Sequence, residues 1–362
     1  MPIYFMKKLS IKISTIILFT TLIIGCQSDD DKKNIPDVSN ISTNVKIQRF
    51  EQDLFAIDTN NTPEGINERG IQNLEAKYPK VADLFFSEII GAKQPNQTPP
   101  QYQAMIKQFL TDTSVRKTAD TTQIVFKNFE PYKKELEQAA RFYKYYFPNQ
   151  PDLTFITFVS QYNYDVFNFG RDSIGIGLDF FLGENHTDYN FMETLRYAYI
   201  RRTLTKEHLV AKAMRMQIAQ MAAGTPKGIN EGGDRMLDVM IFNGKQLYIL
   251  DQLLPNTPDS IKFGYNAAQT KWCKDNESGI WSSFLKNNLL YETNFKKIAK
   301  LVTPSPNSPG MPPEAPGETA NYIGWQIIKQ YMKRNPNTSL QQLLGMRDAQ
   351  MILDKSKYKP AR

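Results

Sequence analysis

Four side chains in this 362-residue chain are of the nitrogen and sulfur kinds that hold transition metals or act as activated nucleophiles: His186, His208, Cys26 and Cys273. A zinc hydrolase site on one helix needs two histidines at i and i+4, so that both imidazoles reach one metal. Four residues after His208 stands Lys212, and the neighbouring acid, Glu207, precedes the histidine. No such site can be built, and a His186/His208 pair completed by carboxylates has no motif behind it. Both histidines read as surface or helix-capping residues. Cys273, beside Trp272, reads as a small buried core residue, and a Cys273–His208 nucleophile pair lacks any local signature. No GxSxG elbow and no GxxxxGK[ST] or GxGxxG phosphate loop is present. No catalytic residue, metal ligand or cofactor is expected.

Cys26 has a different chemistry. Lys7 and Lys8 precede an apolar run from Ile11 to Ile24, which ends in Gly25-Cys26. Basic residues, a short apolar run and a small residue make a secretory leader. The uninterrupted run is shorter than the ~20 residues of a transmembrane helix. Gly25-Cys26 resembles the bacterial lipobox, which implies a diacylglycerol on the thiol, cleavage before Cys26 and acylation of the new amine. Each buried methylene contributes ~0.8 kcal/mol, and stable anchoring needs more than one chain. Gln27 does not match the aspartate that retains enteric lipoproteins in the inner membrane, so the outer membrane is favoured. Ser28-Asp29-Asp30-Asp31 has two readings, an acidic export tag of surface lipoproteins or a solvated tether.

The remaining candidates sit on a strand. Ser173–Leu182 alternates, with Ile174, Ile176, Leu178 and Phe180 on one face and Gly175, Gly177 and Asp179 on the other. Two glycines on one face let a backbone or a ligand approach closely. Asp179 then has two readings: a polar contact in a groove, or a strand-end carboxylate capping the next turn.

The elements around them follow from periodicity. Leu153–Ser160 and Tyr164–Phe169 read as two further strands, so an antiparallel three-stranded meander is expected. Val45, Ile47 and Phe50 suggest a short strand opening the folded part. Phe129, Tyr132, Leu136, Ala140, Tyr143 and Phe147 give one apolar helical face, stopped by Pro148. Later helices follow from Val210, Met214 and Ile218 (with Thr205 as N-cap and Gly224 as terminator), from Leu237, Met240, Ile241 and Tyr248, from the region of Trp272 and Trp281, from Ile323, Ile327 and Tyr331, and from Ser339 to Leu344. Six prolines in 304–316 force an extended loop. The fold class is α+β, mostly helical with a small antiparallel sheet. Residues 1–25 are the leader, 26–44 the lipidated cysteine and a flexible tether, and 45–362 a single domain. Hydrophobic residues at 41 % and aromatics at 12 % fit a globular body. The leader holds three lysines and no acid, which takes the formal charge from +7 to +4. That weak charge, with no basic run, speaks against a nucleic-acid partner.

Several stretches in order resemble the gliding motility lipoprotein family GldB of the Bacteroidetes. They are the lipobox, Gly177–Gly183 (GLDFFLG), Tyr199-Ile200-Arg201-Arg202, Leu237-Asp238, Asn243-Gly244-Lys245, Trp272-Cys273-Lys274, Asn321–Ile327 and Lys355–Pro360. The resemblance implies a lipid-anchored, non-enzymatic envelope protein required for gliding, with protein partners in the gliding and type IX secretion machinery. The helices after the strands also resemble zincin-like metalloproteases, with Asn243 standing where a ligand glutamate would be. That implies a degenerate, inactive zincin-like scaffold. The alternatives are an envelope lipoprotein that binds a ligand or partner at Gly175, Gly177, Asp179 and Asn243, and a hydrolase with an unrecognised site.

Overall fold

Phe155 and Ile156, adjacent on one strand, belong to two different hydrophobic cores. In the computed structural model, which describes residues 35–59, 68–223 and 233–360, that strand is β2 (Thr154–Phe158). Side chains alternate across a strand, so a sheet with apolar groups on both faces must be covered twice. Ile156, Phe158 and Val159 pack with the N-terminal helices around Phe50, Phe85 and Leu110. Phe155, Ile174 and Ile176 pack with the larger C-terminal helical layer.

The sheet has four strands, in the order β1 (Lys46–Arg49), β2, β4 (Ser173–Gly177), β3 (Val166–Asn168). β1 and β4 both run parallel to β2, and only β3 pairs antiparallel, with β4. The expected antiparallel meander is therefore corrected to a mixed sheet. The three expected strands β2, β3 and β4 do alternate in direction, but β4 lies between β2 and β3, with Thr154 opposite Ser173 and Phe158 opposite Gly177. Gly175 and Gly177 permit this. A Cβ at Gly175 would press on the rings of Phe167 and Phe158, and one at Gly177 would overlap the carbonyl of Tyr164. The strand expected to reach Leu182 stops at Gly177, where its partner β2 also ends at Phe158, and continues as a 3-10 turn over Leu178–Phe181.

Periodicity located the longer helices. α6 (Glu130–Tyr146) buries Leu136, Ala140 and Tyr143. Thr205 stands at the N-cap position of a 3-10 turn, Lys206–His208, without a side-chain capping bond, and that turn runs into α8 (Leu209–Ala223); Gly224, expected to end it, lies outside the described residues. α9 (Met236–Leu253) and α14 (Thr319–Arg334) form the centre of the large layer. Their backbones meet at Gly244 and Gly324, where any Cβ would collide with the opposite main chain. Around them lie α10 (Asp259–Phe263), α11 (Ala267–Asp275), α12 (Glu277–Lys286), α13 (Phe295–Val302), α15 (Leu340–Gly345) and α16 (Ala349–Ser356). Ser339 accepts the Gln342 N–H at 3.1 Å and so starts α15. The proline segment carries neither helix nor strand. On the other side of the sheet, α1 (Phe50–Phe55), α2 (Glu68–Lys77), α3 (Pro79–Leu84), α4 (Pro99–Thr111) and α5 (Thr113–Val125) form the smaller layer, which periodicity did not reveal.

From Pro36 onward the chain is one compact unit. The leader, Cys26 and the tether as far as residue 34 lie outside the described residues. Val38 is buried in the large core, and the Asn44 N–H donates to Asp152 Oδ2 at 3.2 Å. Among the described residues, no helix is long and apolar enough to cross a membrane.

Candidate functional site

His208, Ala211, Lys212 and Arg215 lie at steps of three, one and three residues, which is one stripe of α8 and its leading turn. They line a cavity of about 260 Å³. The opposite walls come from the turn Tyr199–Leu204, from the end of α10 with Phe263, Gly264 and Tyr265, and from the two ends of the proline segment, Pro304-Ser305 and Pro316–Glu318. Asp165, just before β3, and Phe180, after β4, close the floor.

Local backbone geometry brings these walls together. Gly264 ends α10 in the left-handed region at φ 71°, a conformation that costs glycine nothing. Gly317 lies against Ser305, where a Cβ would overlap the Ser305 side chain and carbonyl. The Tyr265 hydroxyl donates to the Gly317 carbonyl at 2.7 Å and ties the two walls. Glu318 takes φ 60°, rare for a side chain larger than glycine, and its N–H donates to the Lys300 carbonyl at 3.0 Å.

The cavity is rich in cations. Lys212 Nζ lies 3.3 Å from Asp165 Oδ2 and 5.5 Å from the Phe181 ring centre. Burial pulls the Lys212 ammonium below its ordinary range; Asp165 opposes this and Arg215 adds to it. Lys262 is held between Asp251 and Asp259. Burial alone would depress it, and the two carboxylates outweigh that. Arg202 donates to the uncharged Gln269 side chain, and burial lowers its guanidinium. Glu318 is pushed up by burial, against the pull of Arg215 and a 2.9 Å hydrogen bond from Asn321. His208 is buried, with Nδ1 2.9 Å from Thr205 Oγ1. Among the described residues its Nε2 has no hydrogen-bond partner, and burial with the nearby Lys212 charge brings its pKa down to about 4. The surface or capping role expected of His208 is thus replaced by a neutral, interior imidazole. His186 stands apart, half-buried, with Nε2 2.9 Å from the Tyr162 hydroxyl.

The residues singled out in the sequence fall elsewhere. Gly175, Gly177 and Asp179 are buried and form no open groove; aromatic rings and the Tyr164 carbonyl fill the space beside the glycines. Asp179 Oδ2 accepts the N–H groups of Ser160 at 3.0 Å and Tyr162 at 2.7 Å, which is a turn-holding arrangement. Asn243 Nδ2 donates to Asn321 Oδ1 at 2.8 Å and to the Val302 carbonyl at 3.3 Å, joining α9, α13 and α14. Through Asn321 it connects to Glu318 and hence to the cavity wall. Cys26 lies outside the described residues. Cys273 is fully buried, and its thiol is pushed up to about 12 by desolvation. Among the described residues, no three of His, Cys, Asp and Glu come together in a way that could hold a metal. Sequence reasoning missed the cavity cations; the available signal was the polar stripe of His208, Lys212 and Arg215 on a mainly apolar helix.

No curated protein and no solved structure matches the chain. The family model described as gliding motility protein GldB does match, over residues 31–360. That span takes in the whole sheet, both helical layers and every wall of the cavity, and so the chain belongs to the gliding motility protein GldB family and takes part in gliding motility.

Proposed function

We propose that this protein is a lipid-anchored component of the cell envelope that serves gliding by contact with other proteins of the gliding and type IX secretion apparatus, without catalysing a reaction. The observation that carries this reading is the position of Cys26: it ends a basic-then-apolar leader five residues before the family match begins at residue 31. Two or more acyl chains at that point hold a body on a membrane stably. Gln27 in place of aspartate favours the outer membrane. The body is read as a degenerate zincin-like scaffold: α8 packs on α9, α8 has no histidine pair, and Asn243 takes the place of a ligand acid.

Cys26→Ala tests the anchor. The substituted protein is expected to leave the membrane fraction, and the cells to lose spreading on agar. Cross-linking and pull-down of the anchored protein should recover gliding or secretion components, and protease shaving of intact cells fixes the side of the membrane. Unchanged membrane fractionation of Cys26→Ala overturns the anchor. Zinc at one per purified chain overturns the degenerate-scaffold reading.

A further inference from the structure

Among the described residues, neither guanidinium group on the cavity wall has a carboxylate within ion-pair distance; Glu184 acts on Arg202, and Glu318 on Arg215, only from farther away. Arg202 is half-buried and donates to an amide, Gln269. Arg215 is half-buried and, among the described residues, makes no hydrogen bond or ion pair. Lys212 stands one helical turn from Arg215 on the same stripe of α8, so two like charges face one space with Asp165 answering only the lysine. The other wall carboxyl, Glu318, is disfavoured as an anion by its burial. Lys262 is already neutralised from outside the cavity by Asp251 and Asp259. The arrangement therefore holds positive charge in excess, in surroundings where charge is weakly screened. Arginine suits the binding of an anion there, because its planar fork matches the two oxygens of an oxyanion.

Phe180, Leu195, Ile200 and Phe263 give the wall an apolar part. A volume of about 260 Å³ falls just below the ~300–1,000 Å³ of sites for drug-sized ligands. We propose that this cavity is a binding site for a small organic anion, with one carboxylate or phosphate group held between Arg202, Lys212 and Arg215 and a compact apolar body against Phe180 and Phe263. The unpartnered Nε2 of His208, on the same wall, gives a polar group of the ligand a further contact. This reading is independent of the lipid anchor and of the protein partners.

The test uses the full lipidated chain in a neutral detergent. Benzoate and phenyl phosphate are titrated by calorimetry, with benzyl alcohol as the uncharged control and inorganic phosphate as the anion without a body. At least one organic anion is expected to bind with Kd below about 1 mM. Benzyl alcohol should not bind, and inorganic phosphate should bind more weakly. The preference between benzoate and phenyl phosphate identifies the head group. Arg215→Gln and Arg202→Gln should each weaken binding by about tenfold or more, as expected for loss of a charge-assisted pair. Arg215→Lys, which keeps the charge and loses the fork, should fall between. If Arg215→Gln fails to fold by circular dichroism, Arg202→Gln carries the test. The proposal is overturned if neither organic anion binds the unsubstituted protein, if benzyl alcohol binds equally well, or if the folded arginine variants bind unchanged.

Discussion

The carboxylate of Asp179 accepts the backbone N–H of Tyr162 across the end of the sheet at 2.7 Å. Tyr162 and its predecessor Gln161 both lie in the left-handed region, at φ 61° and 56°. Two consecutive such residues cost on the order of 1–3 kcal/mol each, and they persist because the surroundings hold them. Asp179 supplies that hold through Tyr162 and Ser160. The reversal so fixed carries the chain from β2 over to β3 and leaves room for β4 between them.

Asp179→Ala should therefore be strongly destabilising. It leaves the Ser160 and Tyr162 N–H groups buried without an acceptor, each at a cost of about 1–3 kcal/mol. A loss of roughly 3–5 kcal/mol in urea unfolding is expected. Asp179→Asn keeps an amide oxygen for the same donors and should cost much less. Equal losses in both variants would show that the acceptor is not what holds the reversal.

The same carboxyl makes stability depend on pH. Desolvation raises Asp179 from an ordinary 3.8 to about 7, against the N–H hydrogen bonds that favour the anion. A pKa higher in the folded than in the unfolded chain means that the fold binds the proton more tightly. Its contribution is fully present below about pH 4 and is lost as pH rises through about 7. The difference in unfolding free energy between the unsubstituted protein and Asp179→Asn should shift against the unsubstituted protein between about pH 4 and 8, by on the order of a few kcal/mol. Urea midpoints at several pH values measure this, and a constant difference would place the Asp179 carboxyl near its ordinary range.

Much of the helical layer was legible because long helices repeat their apolar residues many times. Leu136, Ala140 and Tyr143 mark α6, and Ile323, Ile327 and Ile328 mark α14, each from within its own segment. The strand order was not legible. The β3–β4 pairing is local, but β2 lies between β4 and β1, a strand more than a hundred residues earlier, so no local pattern fixes the order. Between Phe50 and Val125, α1 and α3 have only six residues each, and α4 and α5 mix Thr, Gln and Lys with few apolar anchors. Their burial is decided by the sheet they cover. The cavity was hidden for a related reason: Asp165, Arg202, Arg215 and Glu318 come from separate elements, so no spacing links them.

Gly244 and Gly324 set the distance between α9 and α14. Placing a methyl group on either forces main chain against main chain, which no rotamer change can relieve. Gly324→Ala and Gly244→Ala should each cost about 3 kcal/mol or more. A Cβ at Gly279 in α12 would meet nothing within 4 Å, and Gly279→Ala should stabilise by about 0.5–1 kcal/mol through helix propensity. Thermal melts of the three variants provide the comparison, and similar shifts in all three would mean that the two helices do not pack at the glycines.

Lys262, Asp251 and Trp325 form a buried polar group behind the cavity. Lys262 is bridged to Asp251, and Trp325 Nε1 donates to Asp251 Oδ2 at 2.6 Å. Lys262 and Asp251 are both at most 3 % exposed. Removing one member of a buried ion pair strands the other charge and costs about 3–5 kcal/mol, whereas replacing both can be nearly neutral. Lys262→Met alone should thus be severely destabilising, and Asp251→Leu in the same chain should recover a large part of that loss, less about 1 kcal/mol for the Trp325 N–H left without its acceptor. A double-mutant cycle on unfolding free energies measures the coupling between the two sites. Simple additivity of Lys262→Met and Asp251→Leu would show that the lysine and the aspartate are stabilised separately, with the aspartate held by Trp325 and its other neighbours and the lysine by Asp259.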